Sequence, residues 1–105
     1  MITRNKSKAL KDLEKITGET LTIANLLWAI RTSDDVNQVD FAKKLDISNQ
    51  YLCDLERGRK SLSPKKAKEF AQKLGYSEEQ FIALALQDAL SQDGMHFVVE
   101  LKAVA

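Results

Sequence analysis

Apolar side chains recur along this chain every three or four residues, and small polar residues or glycine interrupt them at intervals. Such spacing marks amphipathic helices. Leu10, Leu13 and Ile16 predict a first helix over about 5–17, which Gly18 stops. Ile23, Leu26, Leu27 and Ile30 predict a second, from Thr22 to about Ser33, and "TSDD" breaks its pattern. A third, over 38–45, buries Phe41, Ala42 and Leu45 behind Asn37, a good N-cap. After the short link "DISN", Ser48 caps a fourth helix over 49–56, and Gly58 lies just past its end. Ser63 and Pro64 open a fifth, with Ala67, Phe70, Ala71 and Leu74 as its stripe and Gly75 as its stop. Ser77 with Gln80 forms a capping box for a sixth, which runs through Phe81, Leu84 and Ala85 to Gly94.

The last stretch, "MHFVVELKAV" over 95–104, has a different period. Met95, Phe97, Val99 and Leu101 alternate with His96, Val98, Glu100 and Lys102. Period two with strand-forming residues predicts a β-strand. One strand cannot satisfy its own backbone donors and acceptors. Its expected partner is the same strand of a second copy, giving a homodimer, or a sheet of another protein. The chain thus divides into an N-terminal helical arm (1–20), a helical domain (21–93) and a tail (94–105).

Composition narrows the class. The 105 residues are 44% hydrophobic and 30% charged, which is globular rather than disordered. A chain this short buries a modest core, so association with a second copy is a natural source of stability. Cys53 is the single cysteine, and a lone thiol fits a reducing cytoplasm. No apolar run approaches the ~18 residues of a membrane span. The basic N-terminus lacks the apolar core of a signal peptide. These features lead to the expectation of a soluble cytoplasmic protein.

Net charge is only +1, but its distribution is uneven. Residues 1–75 hold 15 Lys and Arg against 10 Asp and Glu, whereas residues 76–105 hold 1 against 5. The densest block, "RGRKSLSPKKAK" over 57–68, has six basic residues and no acid. A solvated face explains a charge run in general; a phosphate-binding rim explains it if the neighbouring helices belong to a nucleic-acid reader. Those neighbours are two short helices, 38–45 and 49–56, joined by a tight turn. The second carries polar residues near its start, and the basic loop follows it. This is helix-turn-helix geometry, in which the second helix enters the major groove of DNA. Ala42 lets the two helices cross closely, while Phe41, Leu45, Ile47, Leu52 and Leu55 fill the space beneath.

"NQVDFAKKLDISNQYLCDLERGRK" resembles the helix-turn-helix of the phage-repressor and Cro-like (Xre-type) family. Gln38, Phe41-Ala42, Leu45, Ile47-Ser48 and Leu55-Glu56-Arg57-Gly58 match its pattern at the right spacings. The resemblance extends upstream through "LLWAIR" and downstream into "SPKKAKEFAQKLG", roughly residues 22 to 75. It departs at Asp46, where the family usually has Gly for a left-handed turn. Asp tolerates that region better than most residues, so the turn is expected to survive.

The resemblance implies an all-α fold of five or six helices, here followed by the C-terminal strand, and it assigns roles. Asn49, Gln50 and Asp54 share one helix face and would read base edges: Asn and Gln pair with adenine, and Asp accepts from cytosine. Ser48 is first a cap and can also touch a base. Gln38, with Asn37 beside it, would hold a phosphate at a helix start. Arg57, Arg59 and Lys60 would meet the backbone, and Tyr51 would pack at the rim or touch a phosphate. Arg31 and Glu56 would form the family's structural ion pair. Read as solvated surface, all of these would be unremarkable; the motif favours DNA contact.

Little else points to chemistry. Cys53 fits a small, partly buried helix residue, and His96 has no companion for a metal site. No nucleophile–base pair or Gly-rich phosphate loop is present, and "GRKS" lacks the upstream glycine of a P-loop. The expectation is a non-enzymatic, cofactor-free repressor that binds double-stranded DNA as a homodimer. The alternative is a HigA-like antitoxin that binds a RelE/HigB-like toxin and represses its own operon. A helical scaffold without DNA would leave the basic block unexplained.

Overall fold

Five polar residues start five helices. The side chains of Thr22, Asn37, Ser48, Ser63 and Ser77 each accept the backbone N–H three residues on, which satisfies a donor that the first turn leaves unpaired. The computed structural model describes residues 21–104; the helix expected over 5–17 lies outside the described residues. The helices are α1 (Ile23–Ser33), α2 (Gln38–Leu45), α3 (Asn49–Glu56), α4 (Pro64–Leu74) and α5 (Glu78–Gln92).

All five stop the same way. A residue in the left-handed region follows each helix, and the next N–H reaches back to a carbonyl five residues earlier. The bonds run from Val36 to Arg31, Ile47 to Ala42, Arg59 to Asp54, Tyr76 to Ala71 and Met95 to Leu90, at 2.8–3.1 Å. Glycine fills the left-handed position after α3, α4 and α5, but Asp35 and Asp46 fill it after α1 and α2, each at φ 59°.

The helices close on a single apolar interior. Their buried stripes are Ile23, Leu26, Leu27 and Ile30; Phe41, Ala42 and Leu45; Leu52 and Leu55; Ala67, Phe70, Ala71 and Leu74; Phe81 and Ala85. Leu84, expected in the interior, is partly buried against it. Leu21 before α1 and Leu62 between α3 and α4 join the core from outside any helix, where no periodicity marks them. The fold is held most extensively between α4 and α5, while α3 is seated between α1 and α2. The helix α3 therefore rests on two others.

The tail corrects the sequence expectation. No strand is present among the described residues, and 95–104 carries no regular element. A strand exists only in a ladder, and the described residues supply no second strand. The side chain of Gln87 takes the place of one. Its Nε2 donates to the Phe97 carbonyl at 2.6 Å, and the Val99 N–H donates to its Oε1 at 2.9 Å. Of the four residues expected to pair between chains, Val99 and Leu101 are half-buried against the domain, whereas Met95 and Phe97 are exposed. Val98 and Val104 are more exposed still, at 87% and 97%.

Candidate nucleic-acid interface

The link between α2 and α3 decides where the site faces. Asp46 adopts φ 59° and ψ 45°, the left-handed geometry for which glycine is usual, and the Ile47 N–H closes the turn on Ala42 at 3.0 Å. The turn is kept despite the substitution, because a short polar side chain is among the few that this region accepts. Ala42 is buried, Ile47 packs on the core, and Ser48 begins α3 at once.

Helical periodicity then splits α3 into two faces. Leu52 and Leu55 are buried at 0% and 1% exposure. Asn49 and Gln50 lie exposed, with Asp54 partly exposed beside them. At about 100° per residue, Gln50 and Asp54 stand only about 40° apart on the free face. The structure joins them: Gln50 Nε2 donates to Asp54 Oδ1 at 3.1 Å. Cys53 is partly buried.

Other residues singled out from sequence turn out to have internal partners. Ser48 Oγ accepts the Tyr51 N–H at 3.0 Å, and Asn37 Oδ1 accepts the Asp40 N–H at 2.8 Å, so both side chains cap helices. Tyr51 is half-buried against the core. Gln38 Nε2 donates to Glu56 Oε1 at 3.2 Å. Glu56 also receives Arg31, with Nε at 2.8 Å from Oε2 and Nη2 at 3.0 Å from Oε1. Arg31 Nη1 donates to the Val36 carbonyl at 3.1 Å. One carboxylate thus ties the end of α3 to α1 and to the first residue of α2. Sequence comparison suggested Arg31 with Glu56; nothing in the spacing signalled that Gln38 would join them.

The rim is positively charged and open. Arg57, Arg59 and Lys60 are exposed and form no ion pair among the described residues. Lys65, Lys66 and Lys68 continue the basic surface on α4, where Lys66 lies 3.4 Å from Glu69. Free cations beside a groove-sized helix suit a phosphate backbone, since they give up only water and counterions on binding.

Two side chains that the sequence reading did not single out steady the domain behind the site. Asp88 Oδ2 accepts the Ile23 N–H at 3.1 Å, closing the start of α1 from α5. Burial pushes the Asp88 carboxyl above its ordinary value of 3.8, and the Ile23 hydrogen bond opposes that shift. Lys73 Nζ donates to the Leu45 carbonyl at 3.0 Å and completes the end of α2 from α4. Both partners are remote in sequence, so no local pattern could have revealed them. Among the described residues, no group of three or more His, Cys, Asp or Glu could hold a metal ion. No helix there is long and apolar enough to cross a membrane.

Two short helices joined by a left-handed turn, the second with an exposed polar face, define a helix-turn-helix protein. The helix-turn-helix family model HTH_3 matches residues 29–81, from within α1 to the start of α5 and just over half of the chain. The chain belongs to this family, the Xre/Cro-like DNA-binding regulators of transcription. Comparison with curated proteins gives no match, and comparison with solved structures gives none.

Proposed function

We propose that this protein is a transcriptional repressor that binds a palindromic operator as a homodimer, with α3 in the major groove. The observation that carries the reading is the division of α3, buried through Leu52 and Leu55 and exposed at Asn49 and Gln50. Amide side chains on that face suit the donor and acceptor pattern of adenine. Arg57, Arg59 and Lys60 would meet the flanking phosphates, and Gln38, with one amide hydrogen still free, would meet another near the start of α2. Asn37 and Ser48 contribute mainly as caps that aim their helices, and Tyr51 as packing at the rim.

The described part of one copy measures 37 × 33 × 29 Å. Two copies side by side suit half-sites one helical turn apart, about 34 Å. The tail would join them. Gln87 engages one edge of residues 97–99, and the opposite edge, with exposed Phe97 and Val98, is open to a second copy. Selection of bound sequences from random duplex DNA, with sedimentation of the same protein, tests both parts. A palindromic consensus and a dimer are expected; enrichment of no sequence would overturn the reading.

A second reading rests on the same exposed tail. An antitoxin would use Met95, Phe97 and Val98 to hold a toxin, by adding this segment to the toxin's sheet. Co-expression with the product of the adjacent gene distinguishes it, since a stable complex lost on deletion of 95–105 is expected only of an antitoxin.

A further inference from the structure

The bond between Gln50 and Asp54 changes what Gln50 can offer a base. A glutamine amide has two N–H donors on Nε2 and one acceptor, Oε1. An ionised aspartate is acceptor-only, so it can engage Nε2 and not Oε1. The 3.1 Å contact therefore sets the sense of the amide and occupies one of its two hydrogens. What remains free is one N–H and one carbonyl.

That remainder matches one purine better than the other. Adenine presents an acceptor, N7, and a donor, the N6 amino group; guanine presents two acceptors, N7 and O6. A tethered Gln50 answers adenine with its full remaining capacity. Against guanine, its carbonyl would face O6 or N7 without a proton between them. An untethered amide could instead turn its NH2 toward both guanine acceptors.

We infer that Asp54 is a positioning residue that acts through Gln50 to make this contact select adenine over guanine, rather than reading a base itself. The inference rests on the proposal that α3 reads the major groove. A negative charge on a DNA-facing helix is repelled by phosphates. Coupling to Gln50 gives Asp54 a reason to be there that a direct cytosine contact would not require.

The test uses the full chain and its Gln50→Ala, Asp54→Ala, Asp54→Asn and double-alanine variants. Selection from random duplex DNA first locates the base pair whose preference Gln50→Ala removes. Affinities are then measured for duplexes carrying adenine or guanine there. Asp54→Ala is expected to lower the adenine-to-guanine ratio about tenfold, while raising affinity for non-specific DNA. Asp54→Asn can donate as well as accept, so it no longer fixes the sense of the amide and should lose most of the ratio as well. In the Gln50→Ala background, Asp54→Ala should change nothing further at that position. An unchanged ratio in Asp54→Ala overturns the inference while leaving the DNA-reading function intact. So does a lost preference at a different base pair, which would make Asp54 a direct reader. If the wild type enriches no sequence, the functional reading itself fails, a result distinct from either. Thermal melts of all four variants close to wild type would exclude a merely structural effect.

Discussion

Glu56 receives two parallel hydrogen bonds from Arg31, at 2.8 and 3.0 Å, across 25 positions of sequence. Glu56 is 4% exposed and Arg31 15%. This bidentate pair, with Gln38 as a third partner, fixes the far end of α3 against α1 and α2. A nearly buried ion pair of this kind costs desolvation to form, so its contribution lies more in orientation than in net stability. Removing one member is a different matter. Glu56→Ala leaves a guanidinium with no counter-charge and should lower unfolding free energy by about 2–4 kcal/mol in urea titration. Replacing both members together, as Arg31→Met with Glu56→Leu, should recover most of that loss. Single and double losses that simply add would show that the two act independently.

Asp46 holds a left-handed conformation that glycine would adopt without steric cost. Asp46→Gly should therefore be neutral or stabilising by up to about 1 kcal/mol. Asp46→Val places a β-branched side chain there and should cost about 1–2 kcal/mol. Thermal melting of the two variants decides; equal effects would mean that the turn geometry is not what the residue contributes.

Asp88 makes stability depend on pH in an unusual sense for a carboxylate. Its folded value is raised, so the folded state holds the proton more tightly than the unfolded chain. The associated stability is full below the unfolded value and is lost as pH rises through the folded one. Asp88→Asn keeps an acceptor for the Ile23 N–H and carries no charge. Relative to this variant, wild type should be most stable in acid and lose ground as pH rises from the ordinary carboxylate value of 3.8 through the raised folded value. Urea unfolding across that range tests the sign, and a wild type that gains on the variant as pH rises would reverse it.

The basic rim should appear in salt dependence. Each of Arg57, Arg59 and Lys60 that meets a phosphate contributes about 0.9 to the slope of log affinity against log salt. Replacing all three with alanine should flatten the slope by about 2–3 while leaving the preferred sequence unchanged. A consensus that shifts instead would assign one of these residues to the bases.

Helix periodicity, cap residues and turn residues are local, and they were legible without coordinates. Asn37, Ser48, Ser63 and Ser77 are caps as expected, Thr22 caps the helix it was expected to begin, and the apolar stripes lie in the core apart from the half-buried Leu84, with Leu21 and Leu62 added from outside the helices. The match between "NQVDFAKKL" and "NQYLCDLERG" and the family pattern was likewise written in spacing. Legibility ended where a side chain's partner lay far away or on no repeating face. Leu62 is buried from a loop, Asp88 bonds a backbone group 65 positions away, and Gln38 turns toward Glu56.

The tail shows the limit most plainly. Alternation over 95–104 leads to the expectation of a strand, but a strand is a relationship between two backbones, and the described residues offer this segment no partner strand. Tertiary structure therefore decided the outcome, with Gln87 supplying a single pair of ladder-like bonds and leaving Phe97 and Val98 in solvent. Sequence by itself determined the five described helices, their approximate ends and the face of α3 that stays exposed, because those follow from the 3.6-residue repeat and short-range hydrogen bonds. Only the folded chain could decide which free side chains find partners, since that depends on which helices meet.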